Sequence, residues 1–204
     1  MKIQAPNLIY LVGLVIYVFI RGVFGGRTKR NQKIVHRVDA IDRVLVALVF
    51  VGTLLLPAIY LVTPWLGFAD YQVPEFINWC GAVVMIIALW LFWRAHVDLG
   101  LNWSITLEMR KHHELITRGV YRRIRHPMYT AIFLFAIAQA FLLRNWLAGW
   151  AGFVTFAALY LVRTPREEKM MNEFFGEKYR DYMQRTGRLW PGYRATKNGD
   201  QLKP

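Results

Sequence analysis

The sequence predicts an all-α integral membrane protein with five transmembrane helices. Three observations carry this. The chain is 55 % hydrophobic with a mean hydropathy of +0.25, too apolar for an ordinary soluble domain. Its apolar residues gather into five stretches near the length a bilayer requires. Its basic residues, 26 Lys and Arg against 13 Asp and Glu, concentrate between those stretches in alternate loops. At 204 residues the chain reads as one membrane-embedded domain over residues 1–204.

The first span covers about residues 8–24, broken only by Arg21. A signal peptide is the competing reading. The region before the stretch carries only Lys2, no small-x-small cleavage site follows, and the positive charges come after it. The second span, about 44–66, is uncharged, and Pro57 is expected to kink it. The third covers about 76–93, also uncharged. Two shorter stretches, about 128–143 and 146–162, are separated only by Arg144 and Asn145. They read as an antiparallel helical pair, each roughly 24–26 Å long at 1.5 Å per residue, with a re-entrant hairpin as the alternative.

Charge sets the expected orientation. Arg27, Lys29, Arg30, Lys33, Arg37 and Arg43 follow the first span, whereas residues 67–75 carry only Asp70 and Glu75. Residues 94–127 and the tail after Val162 are basic again. This positive-inside pattern places the N-terminus outside and the C-terminus in the cytoplasm. Trp65, Trp79, Trp93, Trp146 and Trp150 lie near span ends, as an aromatic belt requires. The same distribution argues against nucleic acid as a partner, because the charge does not form one soluble face. Its plain role is topology and attraction to anionic lipid. The lone Cys80 excludes an internal disulfide and a multi-cysteine metal site, and its apolar surroundings predict a small buried side chain.

Ionisable residues are almost absent from the spans, which disfavours a transporter and moves function to the cytoplasmic edge. Two polar segments flank the helical pair there: His112–Tyr129, and Arg163–Pro191. An antiparallel pair brings His126 and Arg163 to the same face. Structural readings exist for each part. Pro127 fits the first position of a helix. Thr164 fits an N-cap with Glu167 as its capping-box partner, and Glu168 adds favourable charge at the same helix start. Arg163 can pair with Glu167 or snorkel. Phe174, Phe175, Tyr179 and Tyr182 fit one face of an amphipathic helix within Asn172–Arg188. Spacing alone favours these readings.

The joint pattern is more specific than its parts. G-V-Y-x-x-x-R-H-P-x-Y at 119–129, the helical pair, R-x-x-x-E-E at 163–168, F-F-G-x-x-Y-x-x-Y at 174–182 and T-G-R-L-x-P at 186–191 together resemble the isoprenylcysteine carboxyl methyltransferase family. Asn102-Trp103-Ser104 and the five-span layout look like its short prokaryotic members. The likeness is strongest over about residues 96–191. Phospholipid N-methyltransferases share the R-H-P-x-Y and E-E elements. The resemblance implies a membrane methyltransferase using S-adenosylmethionine. Its cytoplasmic cofactor pocket would be formed by the last two helices, the preceding loop (94–127) and the tail (163–191). It implies cofactor contacts from His113, Glu114, Leu115, Ile116, Tyr121, His126, Pro127, Met128, Tyr129 and Glu167, with Arg163 facing a substrate carboxylate. Arg163 and Glu167 are thereby the catalytic pair. Thr106 stands where some relatives have glutamine, so that contact is not carried over.

The chemistry is consistent with these residue types. A carboxylate is already ionised at neutral pH, so methyl transfer to it needs alignment and water exclusion more than a strong base. A guanidinium orients a carboxylate bidentately. The expected acceptor is a prenylated cysteine or another lipid-like carboxylate reached from the membrane. The alternatives are an N-methyltransferase for an amine-bearing phospholipid and a membrane protein of reductase-like ancestry. The latter lacks the G-x-G-x-x-G fingerprint of a dinucleotide site.

Overall fold

The computed structural model describes residues 4–28, 33–36, 39–100, 108–110 and 114–192. Helix α1 spans Ala5–Thr28 and strand β1 Lys33–His36. Helix α2, Ala40–Phe50, passes through a π-helical turn at Val51–Leu55 into α3, Leu56–Val62. Helix α4 spans Glu75–Leu99, strand β2 Glu108–Arg110, α5 Pro127–Leu143, α6 Trp146–Phe175 and α7 Glu177–Arg185. Four helical segments are long and apolar enough to cross a membrane: Ala5–Gly26, Ala40–Val62, Glu75–Leu99 and Trp146–Phe175. Helix α5, at 17 residues, is the shorter apolar helix among them. The helical reading holds for the bundle. Outside it, β1 and β2 pair antiparallel and join the first basic segment to the second, a ribbon that the span pattern gave no sign of.

Helix α4 packs against α1 on one side and α5 on the other, and α6 packs on α5 and α2. The buried stripe of α4 runs Asn78, Gly81, Met85, Ala88, Phe92 and Ala95, a helical repeat of three and four. Its other faces carry exposed Val83, Ile86, Ile87 and Trp90. A helix apolar all round suits a lipid surrounding, where the outer face need not be polar. This overturns the reading of Cys80 as buried: it lies on the outward face of α4 and is exposed. An apolar neighbourhood in sequence means contact with lipid as often as contact with protein. Trp65, Trp79, Trp93 and Trp146 are likewise exposed.

Pro57 follows directly on the π-helical turn of the second span, and the structure shows how its cost is met. Proline supplies no N–H to the carbonyl four residues back, which is that of Thr53. The Tyr10 hydroxyl donates to that carbonyl at 2.7 Å. Within the π turn, the Gly52 carbonyl accepts from Gln139 Nε2 at 2.9 Å, and the same nitrogen donates to Ala148 O at 2.7 Å. Gln139 is fully buried. Inside a bilayer, freed backbone groups need such protein partners. Small residues permit the approach: a Cβ on Gly52 would lie 2.7 Å from Ala151 O. Gln139→Leu therefore removes two donors and should cost about 1–2 kcal/mol. The fall should appear in thermal denaturation of the purified protein in lipid, and an unchanged melting temperature would contradict it.

The bundle has two polar ends. At one, Arg144 closes α5 with a left-handed backbone, φ 50°, and bonds to Gln4. Asn145 caps α6 by accepting from Leu147 N and Ala148 N, and donates to Leu66 O and Asp70 Oδ1. The two-residue turn between the paired helices is thus as the sequence predicts. At the other end lie the starts of α2 and α5, the end of α4 and the second half of α6.

Candidate active site

Helix α6 decides the site. The capping-box reading predicts a helix starting at Thr164. Instead α6 runs unbroken from Trp146 to Phe175, with Pro165 inside it. A proline removes one hydrogen bond and perturbs one turn, and the flanking turns hold the rest. Thr164 is buried and caps nothing, and its Oγ1 has no hydrogen-bond partner among the described residues. Glu167 and Glu168 consequently sit in mid-helix, not at a helix start. The tail reading is corrected too. Asn172–Arg188 is not one helix, because Gly176 turns the chain at φ 57° between α6 and α7. Phe174 stays exposed at the end of α6, while Tyr179 and Tyr182 of α7 are buried.

The two motif segments meet as expected. Glu168 is the junction. Its Oε1 accepts from Arg125 Nε at 3.3 Å and Arg188 Nε at 3.1 Å, and lies 3.3 Å from His126 Nε2. Its Oε2 accepts from Arg188 Nη2 at 2.6 Å. Backbone pairing reinforces the join: Arg125 N donates to Gly187 O at 2.8 Å and His126 N to Arg188 O at 3.0 Å. The Arg125 guanidinium also donates to the carbonyls of Met183 and Thr186, and Thr130 Oγ1 to Leu189 O. Tyr182 donates to Tyr121 O at 2.6 Å. The hydrogen bonds and charge of Glu168 push the Arg188 guanidinium above its ordinary pKa. Burial pushes the Tyr179 and Tyr182 hydroxyls up as well.

A second cluster lies one helical turn away around Tyr129, whose hydroxyl donates to Glu167 Oε2 at 2.6 Å. Its ring stacks on His126, with centroids 5.3 Å apart, and meets Tyr160 and Phe156 edge-on. Arg163 is buried, and its charge, with those of Glu167 and Asp42, reaches the Tyr129 hydroxyl. Tyr121 is buried against Ala95 and Ile116, with Met128 alongside. Burial first, then the Glu167 charge, raises its pKa well above the ordinary value. Gly119 lets this loop approach α4: at φ 59°, a Cβ there would lie 2.0 Å from Asp98 Oδ2, which accepts from Val120 N at 2.9 Å.

Of the sequence candidates, Tyr121, His126, Pro127, Met128, Tyr129, Arg163 and Glu167 are brought together. Ile116 packs in the cluster of Tyr121, while Leu115 is half-buried and Glu114 is exposed. His113, Asn102–Ser104 and Thr106 lie outside the described residues. Sequence reasoning gave no role to Arg125, Arg188 or the pairing function of Glu168, although all three are letters of the quoted motifs. It missed Asp42 and Asp98 altogether. No group of three or more His, Cys, Asp or Glu residues suited to a metal is found among the described residues. A polar pocket of about 240 Å³, lined by Gln4, Asn7, Tyr60, Asp70 and Arg144, belongs to the opposite end of the bundle.

Comparison with known proteins follows the motif region. Residues 81–173, a little under half of the chain, match the model of the Isoprenylcysteine carboxyl methyltransferase (ICMT) family. A probable protein-S-isoprenylcysteine O-methyltransferase of Oryza sativa subsp. indica is 31 % identical over 125 residues, covering 60 % of this chain and 65 % of the rice protein. Protein-S-isoprenylcysteine O-methyltransferase B of Arabidopsis thaliana is 30 % identical over 52 % of this chain and 54 % of its own. The Homo sapiens enzyme is 31 % identical over 59 % of this chain and 46 % of its own. The chain therefore spans less than two thirds of the length of these relatives. The solved structure of the eukaryotic intramembrane Ras methyltransferase ICMT superposes with a TM-score of 0.57 over 94 % of this chain and 71 % of that one, at 24 % identity, a likeness of fold. The apolar helices and this fold make the chain an integral membrane protein.

Proposed function

We propose, from the kinship of residues 81–173 with the isoprenylcysteine carboxyl methyltransferase family, that the protein methylates a lipid-borne carboxylate at the Tyr129 cluster. The observation that carries the reading is the convergence of Arg163, Glu167, Tyr121 and Tyr129 at one end of a membrane bundle. The methyl donor is S-adenosylmethionine, which supplies an electrophilic methyl on a sulfonium. The site suits such a group: the Thr164 Oγ1 is buried without a partner, and one oxygen of Glu167 is not used by Tyr129. Glu167 would hold it, with Tyr121, Tyr129, His126, Pro127, Met128 and the stretch His113–Ile116 as walls.

Arg163 would grip the acceptor carboxylate and hold it in line, without needing to remove a proton. Buried aromatic walls would exclude water from the reacting atoms. The Glu168 junction positions these groups and touches neither substrate. The acceptor is a prenylated cysteine or a similar lipid acid, whose apolar tail would reach the site from the bilayer. Residues 1–204 act as one domain with five spans, the N-terminus outside and the site in the cytoplasm. The grouping of the starts of α2 and α5 with the basic segments at one end of the bundle supports this orientation.

Radiolabelled methyl transfer to a prenylated cysteine analogue beside phosphatidylethanolamine tests the substrate. Label in the cysteine analogue is expected. Label in the phospholipid alone would sink the carboxyl reading and leave the amine-lipid one, which the carboxylates near Tyr129 would serve by accepting a proton. Calorimetry with S-adenosylhomocysteine separates the roles of Glu167. Glu167→Gln is expected to weaken binding about tenfold, as loss of one charge-assisted hydrogen bond does. Unchanged binding would reduce Glu167 to a partner of Tyr129.

A further inference from the structure

Asp42 stands outside residues 81–173, and no motif of the sequence includes it. It is the third residue of α2, only 3 % exposed, and its Oδ2 has no hydrogen-bond partner among the described residues. Its backbone N–H is satisfied by Asp39 Oδ1 at 2.8 Å. Asp39 Oδ2 in turn pairs with Arg166 at 2.6 Å, which pins the start of α2 against α6. Asp42, one turn along α2 from Asp39, is thereby held against the part of α6 that carries Arg163, three residues before Arg166.

A structural explanation of Asp42 is too small. A carboxylate in the first turn of a helix gains a small stabilisation from the helix dipole. Withdrawing an unpaired carboxylate from water costs several times as much. Glu168 is matched by Arg125 and Arg188, whereas Asp42 has no ion pair among the described residues. The second orphan, Thr164 Oγ1, lies on α6 one turn from both Tyr160 and Glu168. A carboxylate oxygen and a hydroxyl, both buried without a partner on two helices that pack together, are complementary to a cation bearing N–H donors.

We propose that Asp42 is a ligand-binding residue of this site, its carboxylate receiving a protonated amine of a bound molecule. The inference rests on the methyltransferase reading. Two molecules of that reaction class carry such an amine: the amino-acid part of the methyl donor, and an amine-bearing lipid headgroup. The donor is the better match, because the acceptor of the proposed reaction is a carboxylate and the amine is carried by the donor.

The test uses the full-length protein in lipid nanodiscs and two probes, S-adenosylhomocysteine and its analogue lacking the amino group. Asp42→Asn should weaken S-adenosylhomocysteine binding about 10- to 100-fold, the value of one hydrogen bond to a charged group, and leave the desamino analogue unchanged. Asp42→Ala should behave alike, and the ligand-free melting temperature of Asp42→Asn should equal or exceed that of the wild type. Unchanged S-adenosylhomocysteine affinity, with loss of the thermal stabilisation conferred by phosphatidylethanolamine over phosphatidic acid, would instead assign the amine to the acceptor lipid. Equal losses for both nucleoside probes, a lowered ligand-free melting temperature with unaltered discrimination, or no change with any probe would overturn the proposal. Failure of the wild type to bind S-adenosylhomocysteine would overturn the methyltransferase reading itself.

Discussion

Arg163→Ala is expected to lower methyl transfer by about a hundredfold or more while the protein stays folded. Loss of one preorganised donor at a reacting oxygen commonly costs two to three orders of magnitude, and a guanidinium supplies two in a fixed fork. Arg163 is buried at the Tyr129 cluster, so no neighbouring exposed cation replaces it without repacking. Arg163→Lys keeps the charge and loses the fork, so it should recover only part of the rate. S-adenosylhomocysteine affinity, read by calorimetry, should change little in both variants. If rate and affinity for the cysteine analogue survive Arg163→Ala in a protein with an unaltered melting curve, Arg163 is a snorkelling residue and the assignment fails.

Glu168→Ala is expected to have the larger effect on the fold. It strips the partly buried Arg125 and the buried His126 of their carboxylate and frees Arg188. Removing one partner of a buried ion pair costs about 3–5 kcal/mol. The loss should be local, because the apolar bundle of α1 to α5 does not depend on this junction. Residues 176–192, held to the 121–130 segment through Tyr182, Thr130 and the Arg125–Gly187 pairing, should detach. Limited proteolysis and amide exchange should show this segment opening while the apolar helices remain protected. Methyl transfer should fall with it, in contrast to Arg163→Ala, where activity is lost and the tail stays in place. A tail equally protected in wild type and variant would remove Glu168 from its positioning role.

The membrane bundle was legible because its signals are local. Spans of apolar residues, Pro57 in the second, the Arg144-Asn145 turn and Pro127 at the start of α5 each express a preference that neighbours in sequence decide. The meeting of the two polar segments was legible as well, since an antiparallel pair joined by two residues returns the chain to the end it left. Cys80 was misread because an apolar run does not say whether its neighbours are lipid or protein. Thr164-Pro165 was misread because a capping pattern is also compatible with a proline carried inside a longer helix, and only packing of α6 on α2 and α5 selects the second.

By itself, then, the sequence determined that the chain enters a membrane, where its apolar helices lie, and which family its motifs resemble. These follow from hydrophobicity, charge and residue identity, and none requires a contact between distant residues. The tertiary structure alone decided the division of labour within the E-E pair, with Glu168 closing the junction and Glu167 facing Tyr129. It alone brought the start of α2, which carries Asp42, against α6. Adjacent residues of a helix point about 100° apart, so which of the two glutamates meets an arginine and which meets a ligand depends on how α6 is rotated in the bundle. That rotation is set by close approaches such as Gly52 on the Ala151 backbone, made by residues far apart in sequence.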